Sequence, residues 1–190
     1  MGIYIFNTDI LKEYLEIDAL TEGSANDFGK NIIPAMLAAG EKMFAYSFEG
    51  YWKDVGTISS LWEANMDLIG DDPILSLADQ EFRIYSKNTA RSPQYVGCGA
   101  VVDNSLISEG CRIYGTVINS VVSGGVVVEE GAIIKDSVIM EDKKTGKDAR
   151  VYTAIIDSDT VVEAGAVVGV ENAPKSEIAL IASGSVIAKA

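Results

Sequence analysis

The stretch ISEGCRIYGTVINSVVSGGVVVEEGAIIKDSVI, residues 107–139, decides the fold, because aliphatic residues return in it near every sixth position. Small or turn-forming residues stand between them, as at 108–110 and 129–131. A single repeat of this kind cannot bury its apolar side alone, whereas stacked repeats bury a continuous core. The pattern therefore predicts a left-handed parallel β-helix of hexapeptide repeats over residues 96–190.

The repeat continues beyond this stretch, with steps of four to six residues. Its aliphatic positions are Ile107, Ile113, Ile118, Val122, Val128, Ile134, Ile139, Val151, Ile156, Val162 and Val168. We expect these side chains to point into a triangular prism in which residues 96–170 make about four coils. Residues 141–148, EDKKTGKD, place only Thr145 where an aliphatic residue is expected. They predict a loosened or bulging corner, which is either a solvated loop or a regulatory segment.

Residues 1–70 follow another pattern, in which short apolar runs alternate with helical periodicity. The runs at 2–6 and 43–48 are typical of strands. This order predicts an α/β domain of the Rossmann type with a parallel sheet. A buried parallel sheet needs several strands, and two or three are available here, so we expect only a fragment of the domain. Residues 71–95, with one predicted strand at 81–85, form the linker.

Three helices are expected within residues 1–70. Thr8 or Asp9 can cap the first, the second starts near Asn26 and Asp27 and stops at Gly40, and Thr57 caps the third.

Composition excludes several classes of partner. Fifteen Lys and Arg against 28 Asp and Glu give a formal charge of −13. Such a surface repels polyanions, so nucleic acid is not expected as a partner. The apolar runs are much shorter than the roughly 18 residues needed to cross a bilayer, and no secretory signal is recognisable. We expect a cytoplasmic protein without a membrane segment.

Histidine is absent and cysteine is rare, which argues against zinc sites and against catalysis by a histidine base. Cys98 and Cys111 form no C-x-x-C pair, so a zinc site of the usual kind is not expected. Hexapeptide repeats also occur in acyltransferases, but the typical enzymes of that class use a histidine base. An acyltransferase is therefore disfavoured.

The segment 50–57 is the first candidate site, since it follows a predicted strand and precedes a predicted helix. Ligand-binding residues of α/β sheets lie at such places. Asp54 could hold a Mg²⁺ ion there, or it could be an ordinary turn residue. Lys53 could bind a phosphate, or it could be an ordinary solvated lysine. Trp52 could stack on a base or sugar, or it could belong to the core.

The segment 27–30, DFGK, is the second candidate. Asp27 could contribute to a site or simply cap its helix. Lys30 is a second cation suited to phosphate, and Phe28 is a second candidate for stacking or for the core.

Several strings in these segments resemble signatures of the glucose-1-phosphate adenylyltransferase family, and they stand in family order. They are 1–6 (MGIYIF), 27–34 (DFGKNIIP), 51–57 (YWKDVGT), 62–68 (WEANMDL), 83–86 (RIYS), 93–95 (PQY) and 104–111 (NSLISEGC). The resemblance covers essentially the whole chain and corresponds to the C-terminal half of the bacterial enzymes.

The resemblance implies an activity and roles for residues. The family makes ADP-glucose and pyrophosphate from ATP and glucose 1-phosphate with Mg²⁺, for glycogen synthesis, usually as an allosteric homotetramer. Asp54 matches the family's metal-binding, catalytic aspartate. Asp27, Phe28, Lys30, Trp52 and Lys53 match the surroundings of its substrates.

The family's Gly-rich nucleotide loop, its second metal-binding aspartate and its Glu-Lys pair for the sugar phosphate are not found in this sequence. We therefore expect a fragment that is inactive alone. The alternative is a non-catalytic regulatory or oligomerisation subunit of the same family.

Overall fold

The computed structural model describes residues 2–77, 79–81, 85 and 90–189. The predicted strand at 81–85 and the string 83–86 fall mostly outside the described residues. The chain divides into two compact units, Met1–Gly50 and Tyr51–Ala190. No helix in the described part of the chain is long and apolar enough to span a membrane.

The Met1–Gly50 unit contains two helices, of which the first is α1 (Thr8–Leu20). Asn7, rather than Thr8 or Asp9, is its N-cap, since its side-chain oxygen accepts a hydrogen bond from the Asp9 N–H at 3.2 Å. The predicted cap is wrong by one residue because Asn7 has extended backbone angles while Thr8 is already helical.

The second helix of this unit begins with a π-helical turn, Phe28–Ile32, and continues as α2 (Ile33–Ala38). Asp27 caps it by accepting from the Lys30 N–H at 2.8 Å. Gly40 follows with φ +77°, a left-handed conformation that suits glycine. The predicted start and stop of this helix are confirmed.

The predicted strands at 2–6 and 43–48 are not formed in the described part of the unit. Neither segment has assigned secondary structure or a neighbouring strand among the described residues, and Ile5 and Phe44 are 99% and 93% exposed. A β-strand is stabilised by hydrogen bonds to a neighbouring strand, and these runs have none among the described residues. The short apolar runs therefore predicted these strands wrongly.

The Tyr51–Ala190 unit starts with helix α3 (Ile58–Met66), which Thr57 caps as predicted. The Thr57 side chain accepts from the Ser60 N–H, and the Ser60 side chain accepts from the Thr57 N–H. This reciprocal capping box fixes the first turn of the helix.

Sixteen short strands follow among the described residues and build a parallel β-solenoid. They are β1 (Tyr95–Val96), β2 (Val101–Asp103), β3 (Leu106–Ile107), β4 (Arg112–Ile113), β5 (Thr116–Ile118), β6 (Val121–Val122), β7 (Val127–Val128), β8 (Ile133–Lys135), β9 (Val138–Ile139), β10 (Lys144–Thr145), β11 (Arg150–Tyr152), β12 (Ala154–Ile156), β13 (Val161–Val162), β14 (Val167–Val168), β15 (Ala179–Ile181) and β16 (Val186–Ile187).

Every third strand belongs to the same sheet, which gives three parallel sheets around one core. The first sheet has the order β1-β4-β7-β10-β13-β16, the second β14-β11-β8-β5-β2 and the third β15-β12-β9-β6-β3. This arrangement confirms the predicted parallel β-helix.

The coil length differs from three full hexads. Lys144 lies opposite Val127 on one side and Val161 on the other, a step of 17 residues each time. The second coil is shorter, since Arg112 lies opposite Val127, a step of 15. The corners absorb these differences, because their residues adopt left-handed angles that turn the chain sharply.

The predicted aliphatic column is the core of the solenoid. Its fully buried members include Ile113, Val122, Val128, Ile134, Ile139, Val151 and Ile156, while Ile107 packs against them and is partly exposed. Ile118 is a wrong assignment, since Val117 is buried and Ile118 lies half-buried on the outer face. Successive residues of a strand point to opposite faces of the sheet. An assignment that is wrong by one residue therefore places a solvent-facing side chain in the core.

The loosened corner predicted for 141–148 is not observed. β10 pairs in register with β7 and β13, and Thr145 is 1% exposed in the core column. Threonine is β-branched like valine and fits a strand at this place. The charge on β10 is carried on the outer face, where Lys144 Nζ lies 2.7 Å from Glu129 Oε1.

Helix α3 packs on the outer face of the third sheet. Trp62 forms a small apolar cluster with Val138 and Ile155, and its indole Nε1–H donates to the Asp136 carbonyl oxygen at 2.8 Å. The turn that precedes α3 is thereby attached to the solenoid.

Candidate functional site

The turn at 51–57 is held by local hydrogen bonds. Asp54 Oδ1 accepts from the Gly56 N–H at 2.9 Å, and a Cβ added at Gly56 would lie 3.1 Å from the same oxygen. Glycine therefore allows the tight turn. Asp54 acts as a turn residue here, and its exposed carboxylate faces solution. The metal-binding role of Asp54 stays a prediction.

The donor chemistry of the turn fits Mg²⁺, which binds hard oxygen ligands. The described residues contain no group of three or more His, Cys, Asp or Glu side chains that could hold a metal ion. A Mg²⁺ ion at Asp54 would therefore need further oxygen ligands, and substrate phosphates commonly supply them.

Lys53 points toward helix α3 and forms two ion pairs. Its Nζ lies 2.8 Å from Asp67 Oδ2 and 3.3 Å from Glu63 Oε2. The hydrogen bond with Asp67 raises the pKa of Lys53 and lowers the pKa of that carboxyl group. Lys53 is therefore a fixed cation directly beside Asp54.

Tyr51 completes this arrangement at the start of the turn. Its hydroxyl donates to Asp67 Oδ2 at 3.0 Å. Burial, together with this bond to a carboxylate, raises the pKa of the Tyr51 hydroxyl. Asp67 thus binds both Tyr51 and Lys53 and fixes one side of the turn.

Lys175 reaches the same group from the far end of the solenoid. Its Nζ lies 2.9 Å from Glu63 Oε1 and 5.9 Å from the centroid of the Trp62 ring. The hydrogen bond from Lys175, followed by that from Lys53, lowers the pKa of Glu63. Glu63 therefore joins two lysines through its two oxygens.

The remaining predicted site residues are exposed. Trp52 is 50% exposed within the turn. In the Met1–Gly50 unit, Asp27 caps its helix, and the Phe28 ring stacks on those of Tyr4 and Phe6 at centroid distances of 5.8 and 5.7 Å. Lys30 is exposed on the same helical turn as Phe28. The structure thus groups Asp27, Phe28 and Lys30 in one unit and Trp52, Lys53 and Asp54 in the other.

Sequence reasoning missed three charged residues of the site. Glu63 and Asp67 stand four residues apart at the end of α3, a spacing that places both on one face of a helix, and this signal could have found them. Lys175 carries no such signal, because 112 residues separate it from Glu63.

The fold and the motif together define a class of protein, in which nucleotidyltransferase sequence is joined to a hexapeptide solenoid. Residues 92–188 match the family described as GlmU-like, C-terminal hexapeptide, and residues 1–70 match the nucleotidyl transferase family. The first match covers more than half of the chain. The chain therefore belongs to the GlmU-like, C-terminal hexapeptide family.

Individual curated relatives are more specific than the family models. The chain is similar to the glucose-1-phosphate adenylyltransferases of Bacillus thuringiensis (strain Al Hakam), Bacillus anthracis and Bacillus mycoides (strain KBAB4). Each is 52% identical over 184 residues, which cover 97% of this chain and 49% of the relative. The chain spans about half the length of these curated relatives and corresponds to their C-terminal half. The resemblance predicted from the motifs is confirmed.

Proposed function

We propose that the chain is the C-terminal portion of a glucose-1-phosphate adenylyltransferase, which makes ADP-glucose and pyrophosphate from ATP and glucose 1-phosphate for glycogen synthesis. The observation that carries the proposal is the intact 51–57 turn, capped onto α3 and combined with 52% identity over 97% of the chain. A degenerate subunit would have little reason to keep this turn and its charged supports together.

In the proposed reaction Asp54 would hold Mg²⁺, and the bound ion would supply positive charge beside the substrate phosphates. Lys53 keeps the turn in place through Asp67 and Glu63 and adds positive charge beside the substrates. Trp52, Asp27, Phe28 and Lys30 would contact the nucleotide or the sugar phosphate. Phosphoryl-transfer catalysis depends mainly on positioning and electrostatics, which are the properties these residues provide.

We also propose that the whole protein is a homo-oligomer under allosteric control, and that residues 1–70 and 96–190 are its two domains with 71–95 as the linker. Exposed apolar side chains such as Ile3, Ile5 and Phe44 support association, since covering apolar surface with a partner is favourable. Because ATP and glucose 1-phosphate are cytoplasmic metabolites, we place the protein in the cytoplasm.

The proposal is tested in a full-length chimera, in which the N-terminal half of the Bacillus anthracis relative is joined to this chain. We expect pyrophosphate release that requires ATP, glucose 1-phosphate and Mg²⁺. The chain by itself should bind neither substrate tightly, which calorimetry can measure. A folded chimera without turnover would contradict the proposal and support the regulatory-subunit alternative.

The role of Asp54 is tested in the same chimera. Asp54→Asn keeps the size of the side chain and removes its charge, so turnover should fall by about 10² to 10³. Asp72→Asn removes a charge from another exposed aspartate and should leave turnover unchanged. A pure turn role for Asp54 would instead leave turnover unchanged, because the Asn side-chain oxygen can still accept from the Gly56 N–H.

A further inference from the structure

The coil that joins β12 to β15 is longer than the one before it. Ala154 lies opposite Ala179, a step of 25 residues, whereas Ile155 lies opposite Val138, a step of 17. The extra residues leave the solenoid after β14 and return at β15. We call residues 169–178 the corner excursion; it includes a 3-10 helix, Lys175–Glu177.

The corner excursion is fastened to the rest of the unit at several points. Near its start, Lys135 Nζ bonds Glu171 Oε1 at 3.1 Å and Asn172 Oδ1 at 3.0 Å. At its end, Ile178 packs against the apolar cluster around Trp62. Between these points Lys175 pairs with Glu63. The excursion therefore holds its cation at a fixed place on helix α3.

From Lys175 a row of alternating charges runs to the turn. Glu63 uses Oε1 for Lys175 and Oε2 for Lys53, and Lys53 continues to Asp67. Each oxygen of Glu63 has its own partner, so the contact with Lys175 favours the carboxylate orientation in which Oε2 faces Lys53. Lys53 is the neighbour of Asp54 in the turn.

We propose that Lys175 is a positioning residue for the 51–57 turn, acting through Glu63 on Lys53. The solenoid thereby orients the turn that would hold the metal ion. This inference rests on the proposed function only in taking the turn to be the catalytic one.

The first experiment uses the chain as it is. Lys175→Met keeps an aliphatic stem over Trp62 and removes the charge. Amide hydrogen exchange is then followed at Gly56 and Thr57, whose N–H groups donate to Asp54 and Ser60. We expect exchange at both amides to become about threefold to tenfold faster, a range typical of coupling through a few side chains. Lys175→Arg should restore slow exchange.

Lys144→Met is the matched control. Lys144 is 58% exposed and lies 2.7 Å from Glu129, while Lys175 is 64% exposed and lies 2.9 Å from Glu63. The control should leave the exchange of Gly56 and Thr57 unchanged. If Lys175 were only a structural contact, both variants would lower the melting temperature slightly without affecting these two amides.

The second experiment measures kcat and KM in the chimera. Lys175→Met should lower kcat/KM by about threefold to tenfold, with Lys175→Arg close to the parent and Lys144→Met unchanged. A parent chimera without turnover counts against the proposed function, and the exchange experiment then decides the present proposal by itself. Unchanged exchange at both amides, or unchanged turnover of the variant in an active chimera, overturns it.

Discussion

At the scale of the residue, Lys143 is the least expected member of the solenoid interior. It takes the place that Val126 has in the preceding coil and Thr160 in the next, and it is 3% exposed. Its Nζ has no hydrogen-bond partner among the described residues. Burial lowers the pKa of Lys143, while Asp157, Asp159 and Asp142 act in the opposite direction. The position therefore destabilises the folded state.

Removing this charge should stabilise the protein. Lys143→Met keeps most of the aliphatic volume and should raise the free energy of unfolding by about 1 to 3 kcal/mol at neutral pH, since a buried unsatisfied polar group costs that much. Lys144→Met, at the exposed neighbouring position that begins β10, should change it by less than about 0.5 kcal/mol. Chemical denaturation measures both, and a destabilised Lys143→Met protein would contradict the explanation.

The same group gives a pH dependence whose sign follows from its lowered pKa. Between the folded-state value and the unfolded-state value of about 10.4, the unfolded chain binds more protons than the folded one. The contribution of Lys143 therefore makes stability rise with pH in this alkaline window, and its full penalty is present below the folded-state pKa. The stability that Lys143→Met gains over the parent should therefore be largest below this window and shrink as the pH rises through it, which denaturation at several pH values measures.

At the scale of the element, β8 carries two isoleucines that face opposite ways. Ile134 is fully buried in the column, whereas Ile133 is partly exposed on the outer face. Ile134→Ala leaves a cavity between coils and should cost about 2 to 5 kcal/mol. Ile133→Ala removes the same atoms from a site open to solvent and should cost clearly less. Equal losses in thermal or chemical unfolding would mean that the column is not the main source of stability.

One hydrogen bond, from Trp62, lies within the apolar contact between helix α3 and the solenoid. Trp62→Phe retains an aromatic ring against Val138 and Ile155 but removes the Nε1–H that donates to the Asp136 carbonyl. We expect a loss of about 1 kcal/mol from the missing hydrogen bond, plus a packing term from the smaller ring. Trp52→Phe, in the exposed turn, is the control and should have little effect on the melting temperature.

The elements that sequence reasoning predicted well are those defined by short-range patterns. The hexad repeat identified the parallel β-helix, and Thr57 and Asp27 were recognised as helix starts because a cap needs only its own first turn. The choice between Val117 and Ile118 failed because two neighbouring aliphatic residues satisfy an approximate period equally well.

The features that escaped prediction depend on distant partners. The apolar runs at 2–6 and 43–48 have strand-like composition, but a strand needs another strand beside it. In the candidate site, the turn and Asp54 were located from the motif, whereas the pairing of Lys53 with Glu63 and of Glu63 with Lys175 requires knowledge of how α3 lies on the solenoid.

At the scale of the whole molecule, the two units differ in how much of their chain is buried. Phe44 and Tyr46 are 93% and 88% exposed in an unpaired segment of the Met1–Gly50 unit, while Tyr152 in the solenoid is 7% exposed. Brief digestion with chymotrypsin should therefore cut after Phe44 or Tyr46 well before Tyr152. Mass spectrometry of the products identifies the order of cleavage, and early cuts at Tyr152 would contradict it.

The corner excursion also bears on how such a protein can be altered. Ten residues leave the solenoid after β14, and yet β12 and β15 pair in the same parallel manner as the shorter coils do. Length added at a corner leaves the ladders intact, whereas one residue added inside a strand would reverse every side chain after it. Corners of this solenoid are thus natural places for genetic insertions, and a loop carrying a foreign epitope could be grafted there and displayed on a rigid support.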